Sequence, residues 1–462
     1  MRLHLDPKPS ASATPPMDAA GRHQGVGYWH ETIEAVPGEP LAESISCDVA
    51  IVGGGYTGLS TAWYLKKHCP DLDVVVLEAA VVGHGASGRN GGFVMPLLGW
   101  DLLYTVKKLG DETARDAYQL MYEAVNHVKQ VIGEDRIDCD LETTGYVLLN
   151  TSEARERRSR LEYETARRLG FDHEWLEGDA LAAHIRSDCF RSGVFDPHAC
   201  VVNPAKLARG MKAQVEAMGV RVYERSPLLD LEEGAPVRLR TEQGTVRATQ
   251  VMLAVNGYGA ALGFMESRIM PVHTFIVLTE PLRREQLDAV GWGAKRASLE
   301  SARNLINYFR LTADNRILFG GEDAKLYYGG RYYDHDDAVS EALKTRFRAY
   351  FPPLEDVAFT HEWGGLLGVS LDMFPSSGVV GSLGNIFYAG GYSGHGVALS
   401  NYAGALVAPA MLEAAGRQAP DAPRPPFFYG RRPAWVGHDP VRYLGVQAYR
   451  YVLRAQDHFQ GA

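Results

Sequence analysis

Three glycines and one carboxylate set out a piece of chemistry near the start of this sequence. Gly53, Gly55 and Gly58 directly follow an apolar, β-prone run, Cys47–Val52, and Glu78 closes a second such run, Val74–Leu77, twenty residues after Gly58. Glycines in GxGxxG spacing let a pyrophosphate approach the backbone where no Cβ intervenes. The helix expected next, with Leu59, Ala62, Trp63 and Leu65 at helical spacing, offers it unpaired N–H groups and about half a unit of positive charge. A carboxylate ending the second strand is placed for ribose hydroxyls. A glycine-rich turn alone is often only a turn. Strand, turn, helix, strand and acid in register make this a dinucleotide site.

Five more glycines fall within Gly83–Gly92, in the string VVGHGASGRNGGFV. Neither a regular helix nor a central strand accommodates them, and close backbone approach to a large flat ligand fits better than a mobile surface loop. A third string, GGYSGHG at Gly390–Gly396, precedes a helical pattern and turns backbone N–H groups toward an anion or an electron-rich carbonyl. With these strings the chain resembles the D-amino-acid oxidase/glycine oxidase/sarcosine oxidase superfamily of FAD-dependent amine oxidases, and most of all its γ-glutamylputrescine oxidase-like branch. The resemblance covers about residues 28–455. It implies an α/β fold, with a Rossmann-like FAD-binding domain of the glutathione-reductase type interleaved with a mixed-sheet substrate domain. It also implies that Gly53, Gly55, Tyr56, Thr57, Gly58 and Glu78 hold the adenosine and pyrophosphate. Ser87, Arg89, Asn90, Gly91 and Gly92 would wrap the pyrophosphate and the isoalloxazine edge, and Leu228 and Asn256 would also contact the cofactor. Gly394, His395, Gly396 and Val397 would meet the N1–C2=O edge, where negative charge builds on reduction.

The same comparison bears on attachment and substrate. Relatives that bind FAD covalently use a Cys that aligns near Gly365, or a His in the glycine loop where this chain has Asn90, so FAD is expected to be non-covalent. Amino-acid oxidases carry an Arg in a GLRP-like motif. Here GLLG, Gly365–Gly368, puts Leu367 in its place. A buried carboxylate without a guanidinium costs several kcal/mol (about 2–7), so an amine without an adjacent carboxylate is preferred. Arg310 can restore a clamp or be a plain strand arginine. Ala398 stands where sarcosine oxidases have a substrate-holding Lys.

His395 and Tyr308 are the candidate orienting or polarising groups. For His395 the alternative is a structural hydrogen-bonder. Tyr308 and Phe309 point to opposite faces of one strand, so only one meets the flavin. Arg310, Trp363 and His273, which shares a strand face with Phe275, are the candidate substrate pocket. Aromatic walls would hold an alkylammonium by about 0.5–2 kcal/mol of cation–π attraction, although core packing explains any one of them as well.

The implied reaction is hydride transfer from an amine Cα–H to flavin N5. The resulting imine hydrolyses to an aldehyde and ammonia or a smaller amine, and O2 becomes H2O2. Two rivals stand beside it. One is a dehydrogenase passing electrons to a quinone or carrier, for which Arg442, Arg450 and Arg454 with Leu444, Val446 and Val452 suggest a basic amphipathic helix at a membrane; packing of that helix on the body is preferred. The other is a non-catalytic flavin- or NAD-binding protein.

These residues need a scaffold. At 462 residues the chain exceeds one hydrophobic core, so two interleaved domains are expected. FAD-binding pieces are placed at 44–100, 198–265 and 362–412, and substrate-domain pieces at 101–197 and 266–361, with extensions at 1–43 and 413–462. A net charge of −9 gives no reason to expect nucleic acid. Five cysteines without metal spacing read as reduced thiols, pointing to cytoplasm. No stretch approaches the ~18–20 apolar residues of a membrane span. Residues 1–27 are expected to be flexible. A helical pattern runs from Leu102 to Ile132, strands are expected at 143–150, 271–280 and 307–321 (with a turn at Asp314-Asn315), and a strand at Ile386–Ala389 leads into a helix from Val397.

Overall fold

The computed structural model describes residues 1–4, 26–34, 37–419 and 424–460. Most of the segment expected to be flexible, 1–27, lies outside them, but Arg2–His4 forms an edge strand.

Val74–Leu77 is wholly apolar because it is buried on both faces, the mark of a parallel strand covered on two sides. It pairs in parallel with Ser44–Val52 and with Arg221–Tyr223. Ser44–Val52 pairs in parallel with Thr245–Leu253, whose far end also carries Ile386–Gly390. The sheet has nine strands. Helices Tyr56–His68, Asp111–Glu134, Pro204–Ala217 and Gly396–Ala414 share one core on one face of it.

The second sheet has eight strands, in the order Phe359–Ser370, Ile269–Thr279, Ile317–Gly321, Asn307–Leu311, Ser298–Ser301, Tyr146–Asn150, Ser192–Asp196, Glu174–Glu177. One face is closed by helix Asp337–Tyr350, whose Phe347 packs with Phe275, Phe309 and Phe319. The other face looks toward the nucleotide-type sheet.

Three expectations change. Phe359–Ser370 pairs along its length with Ile269–Thr279, so the return to the first sheet starts at Ser376–Val380 rather than at 362. The helical pattern from Leu102 breaks at Gly110, whose φ is +81°, into Leu102–Leu109 and Asp111–Glu134. The second of these packs in the nucleotide-side core although it lies within the segment assigned to the substrate domain. The carboxy-terminal helix, Val441–Phe459, does pack on the body, with its basic side turned inward. Arg442 donates to Glu266 O, and Arg450 and Arg454 pair with Asp323, while Val441, Leu444, Val452 and Phe459 are exposed. Among the described residues no helix is long and apolar enough to cross a membrane.

Candidate active site

The first glycine turn is fixed by close approach. A Cβ on Gly58 would stand 2.0 Å from Gly53 O, and Gly53 itself, at φ +109°, would place one 2.7 Å from Ala254 O. Glu78 accepts from Gly54 N at 2.8 Å and from Ala80 N at 2.9 Å, and burial pushes its carboxyl upward. The expected ribose ligand therefore also pins the turn. Leu228 packs beside Leu77, and next to it Ser226 N donates to Glu78 O at 2.8 Å. The three glycine strings meet here. Ser87 Oγ accepts from Tyr56 N at 3.0 Å, and the hydroxyls of Thr57 and Tyr392 lie 2.7 Å apart.

The second string is held by its carbonyls. Trp363 Nε1 donates to Arg89 O at 2.8 Å and Trp29 Nε1 to Asn90 O at 2.9 Å. Arg310 Nη1 donates to Val202 O at 2.7 Å, with longer contacts to Gly92 O and Gly91 O. Asn90 closes the turn on itself, donating to Ala86 O and Ser87 O and accepting from Gly92 N at 2.7 Å. Arg89 is buried, donates to His84 O at 2.7 Å and to Gly364 O at 3.2 Å, and pairs with Asp334. Its guanidinium is committed to the sheet rather than to a phosphate.

Three expected pocket residues change role. Arg310 shares a strand face with Tyr308 but is 1% exposed and spends its donors on backbone carbonyls. Burial without a carboxylate partner pulls its guanidinium down to about 10. It is a tie for the glycine loop and no substrate clamp. Trp363 is likewise held by its indole hydrogen bond. His273 shares the face of Phe275, which is the face packed under helix Asp337–Tyr350. Its ring lies against Tyr327 and Tyr332, and burial pulls it to about 4.

What remains is a slot. On strand Phe359–Ser370, Gly365, Leu367 and Val369 keep partial exposure while Gly364, Leu366 and Gly368 are buried. Thr274 and Tyr308, on the same face, are also partly exposed. The Tyr308 ring packs edge-on to Phe93 at 5.6 Å and near Gly91. It lies across Gly320 toward Thr274, and burial raises its phenol well above the usual range. Opposite, Leu367 approaches Gly394.

Helices Tyr56–His68 and Gly396–Ala414 have no cap from the side chain of their own N-cap residue; Tyr56 N is taken by Ser87 Oγ, and the ends of both helices still carry the partial positive charge that suits an anion. His395, at the start of the latter helix, has a buried Nδ1 with no partner. Burial pulls its imidazole down to about 4, so it is neutral near pH 7. Gly394, Gly396 and Val397 beside it are not buried. Asn256, at φ +42°, accepts from Gly391 N at 2.9 Å and so anchors the third string. The roles of Trp29, Thr274 and Tyr392 were not read from the sequence, since nothing in an isolated aromatic or threonine marks a tie between loops distant in the chain.

Glycine turns without side chains, two helix amino-terminal ends, an orphaned imidazole nitrogen and a half-exposed sheet face fit a dinucleotide carrying a flat redox ring. The model of the FAD dependent oxidoreductase family matches residues 48–410, and the chain belongs to that family. It is an FAD-dependent oxidoreductase of the D-amino-acid oxidase type. Among characterised proteins it is similar to gamma-glutamylputrescine oxidoreductase of Escherichia coli (strain K12), at 35% identity over 424 residues, 88% of this chain and 94% of that protein. Sarcosine oxidase subunit beta of Arthrobacter sp is 24% identical over 347 residues, 71% of this chain and 78% of that one. In fold the chain resembles glycine oxidase from Geobacillus kaustophilus, with a TM-score of 0.69 at 21% identity, covering 84% of this chain and all of that one.

Proposed function

We propose that this protein oxidises a C–N bond of a primary or secondary amine that has no carboxylate beside it, in the manner of a polyamine derivative, with non-covalent FAD and with O2 as the final acceptor. The observation that carries this is that, among the described residues, no free guanidinium faces the slot. Leu367 faces Gly394, while Arg310 and Arg89 are committed to backbone carbonyls and to Asp334. A carboxylate bound there would lose its hydration with no cation to replace it. The name of the Escherichia coli relative, which joins a γ-glutamyl group to putrescine, supports the amine class.

FAD would supply a two-electron acceptor that dioxygen can reoxidise. The protein's part is positional. Gly53–Gly58 and the start of Tyr56–His68 would hold the pyrophosphate. The start of Gly396–Ala414 would face the pole where negative charge develops. Tyr308 and Phe93 would wall the amine and exclude water, and the neutral His395, on the Leu367 side of the slot beside Gly394, can offer one hydrogen bond to the flavin edge. Gly365 has no side chain to attach, in keeping with non-covalent FAD.

The test is an anaerobic titration of purified yellow protein with a panel of amines and α-amino acids. Polyamine derivatives should bleach the oxidised-flavin band and α-amino acids should not; bleaching by amino acids alone would reverse the assignment. Stoichiometric peroxide on readmitting air marks an oxidase, and bleaching without peroxide marks a dehydrogenase. Acid precipitation should release the flavin into the supernatant.

A further inference from the structure

A carboxylate that the reaction above does not use stands on the slot face of the second sheet. Glu300, in strand Ser298–Ser301, lies directly across from Tyr308 on one side and beside Leu148 on the other. Cross-strand partners share a face, with Cβ atoms about 4.5–5.5 Å apart. The Tyr308 ring leans away from Glu300, across Gly320 toward Thr274, and Leu148 keeps partial exposure. Glu300 is 7% exposed. The titratable groups around it are the Tyr146 hydroxyl and Glu162 on helix Glu153–Leu169, with the Tyr308 phenol turned the other way. Glu162 itself lies among Asp101, Arg158 and His173. Among the described residues, none of the titratable groups around Glu300 is a cation.

Buried carboxylates are ordinarily paired with a cation, because an unpaired one costs several kcal/mol (about 2–7, or more). Here the missing partner lies on the slot face of the sheet, one strand away from the residue whose ring walls the slot. An alkylammonium brings both the charge and three N–H donors.

We propose that Glu300 receives the reacting ammonium of the substrate, holding it between Tyr308 and Leu148 and taking its proton. This rests on the amine reading given above. In the step, one N–H bond of R–CH2–NH3+ breaks and an O–H bond forms on the carboxylate. The bonding pair stays on nitrogen as the lone pair that later assists loss of hydride. Ammonium and carboxylate become neutral amine and neutral acid, with no co-reactant. The acidity suits the task. Burial, reinforced by the charge of Glu162 and opposed by Tyr146, pushes Glu300 up to about 7, so it can both accept a proton and release it to solvent in the neutral range.

The test uses FAD-loaded protein and tert-butylammonium, a cation with no hydrogen on the carbon next to nitrogen, so binding is read without turnover. Perturbation of the flavin spectrum or calorimetry gives the affinity. Wild type should bind more tightly as pH rises through about 7. E300Q should bind roughly tenfold or more weakly, the loss of a charge-assisted hydrogen bond, and with no such pH dependence. E300D should keep the dependence with a shifted midpoint. Flavin content and thermal midpoint report whether each variant folds; should E300Q not fold, the midpoint of E300D against wild type decides. Binding by E300Q equal to wild type, an unshifted midpoint in E300D, or no binding by wild type overturns the proposal. Binding by wild type together with no bleaching by any oxidisable amine would sink the amine-oxidase reading and leave this site standing.

Discussion

The indoles of Trp29 and Trp363 each donate one hydrogen bond to successive carbonyls of the second glycine string. A loop with so few side chains cannot fix its own shape, so neighbours fix it from outside. Trp363→Phe keeps most of the volume and leaves Arg89 O buried without its donor, a cost of about 1–3 kcal/mol. Its thermal midpoint and flavin content should both fall, while Trp435→Phe, at a residue 63% exposed, should change neither.

His395 behaves differently because its desolvation is a charge effect. With its folded value near 4, against 6.5 for the free side chain, the folded protein binds fewer protons than the unfolded chain between those values. Its contribution to stability is complete above 6.5 and is lost as pH falls toward 4. The thermal midpoint of His395→Gln should therefore drop less over that interval than that of wild type. Sequence pattern placed Arg310 on a strand, Trp363 ahead of the last cofactor-contacting segment and His273 on a strand, and the structure has all three on strands. The pattern could not say that the first two are used up by loop carbonyls or that the third faces the closed side, because alternation gives a residue's face and not its partner.

Two helices far apart in the chain bring their amino-terminal ends to the same slot. Tyr56–His68 and Gly396–Ala414 cross where Ser60 Oγ donates to Asn401 O at 2.6 Å and accepts from Gly404 N at 3.0 Å. A Cβ on Gly404 would stand 2.3 Å from Ser60 O, so backbone meets backbone. Gly404→Leu must separate the pair. Overpacking of this kind costs about 1–3 kcal/mol, and here it also misplaces two helix ends that would share one cofactor. The expected result is a lower thermal midpoint and a disproportionate loss of flavin per folded protein; retention of full flavin would mean that the crossing does not set the slot.

Both helices and the strands leading into them were legible, since a parallel strand buried on two faces reads as an unbroken apolar run such as Val74–Leu77. The allegiance of Phe359–Ser370 was not legible. Its alternating pattern marks a strand with one partly open face, and only pairing with Ile269–Thr279 shows which sheet it finishes.

At the scale of the whole molecule, the carboxy-terminal helix staples parts around the second sheet that are distant in sequence. Asp457 is 2% exposed. It accepts from Arg155 Nη2 at 2.6 Å, from Asn304 N at 2.8 Å and from Leu305 N at 2.9 Å. It thereby joins helix Glu153–Leu169 to the turn that enters strand Asn307–Leu311, the strand that carries Tyr308. Asp457→Ala strands a buried guanidinium and two amides, and losing one member of a buried ion pair costs about 3–5 kcal/mol. Removing Arg155 as well, in Arg155→Met with Asp457→Ala, takes away the uncompensated charge. The double variant should therefore lose less stability than the sum of the two single ones. None of the Asp457 contacts touches a glycine string, so the flavin content of the folded fraction should hold while the thermal midpoint falls. Additive losses in the cycle would mean that the amides alone make the staple, and flavin loss in step with unfolding would mean that the two sheets do not come apart separately.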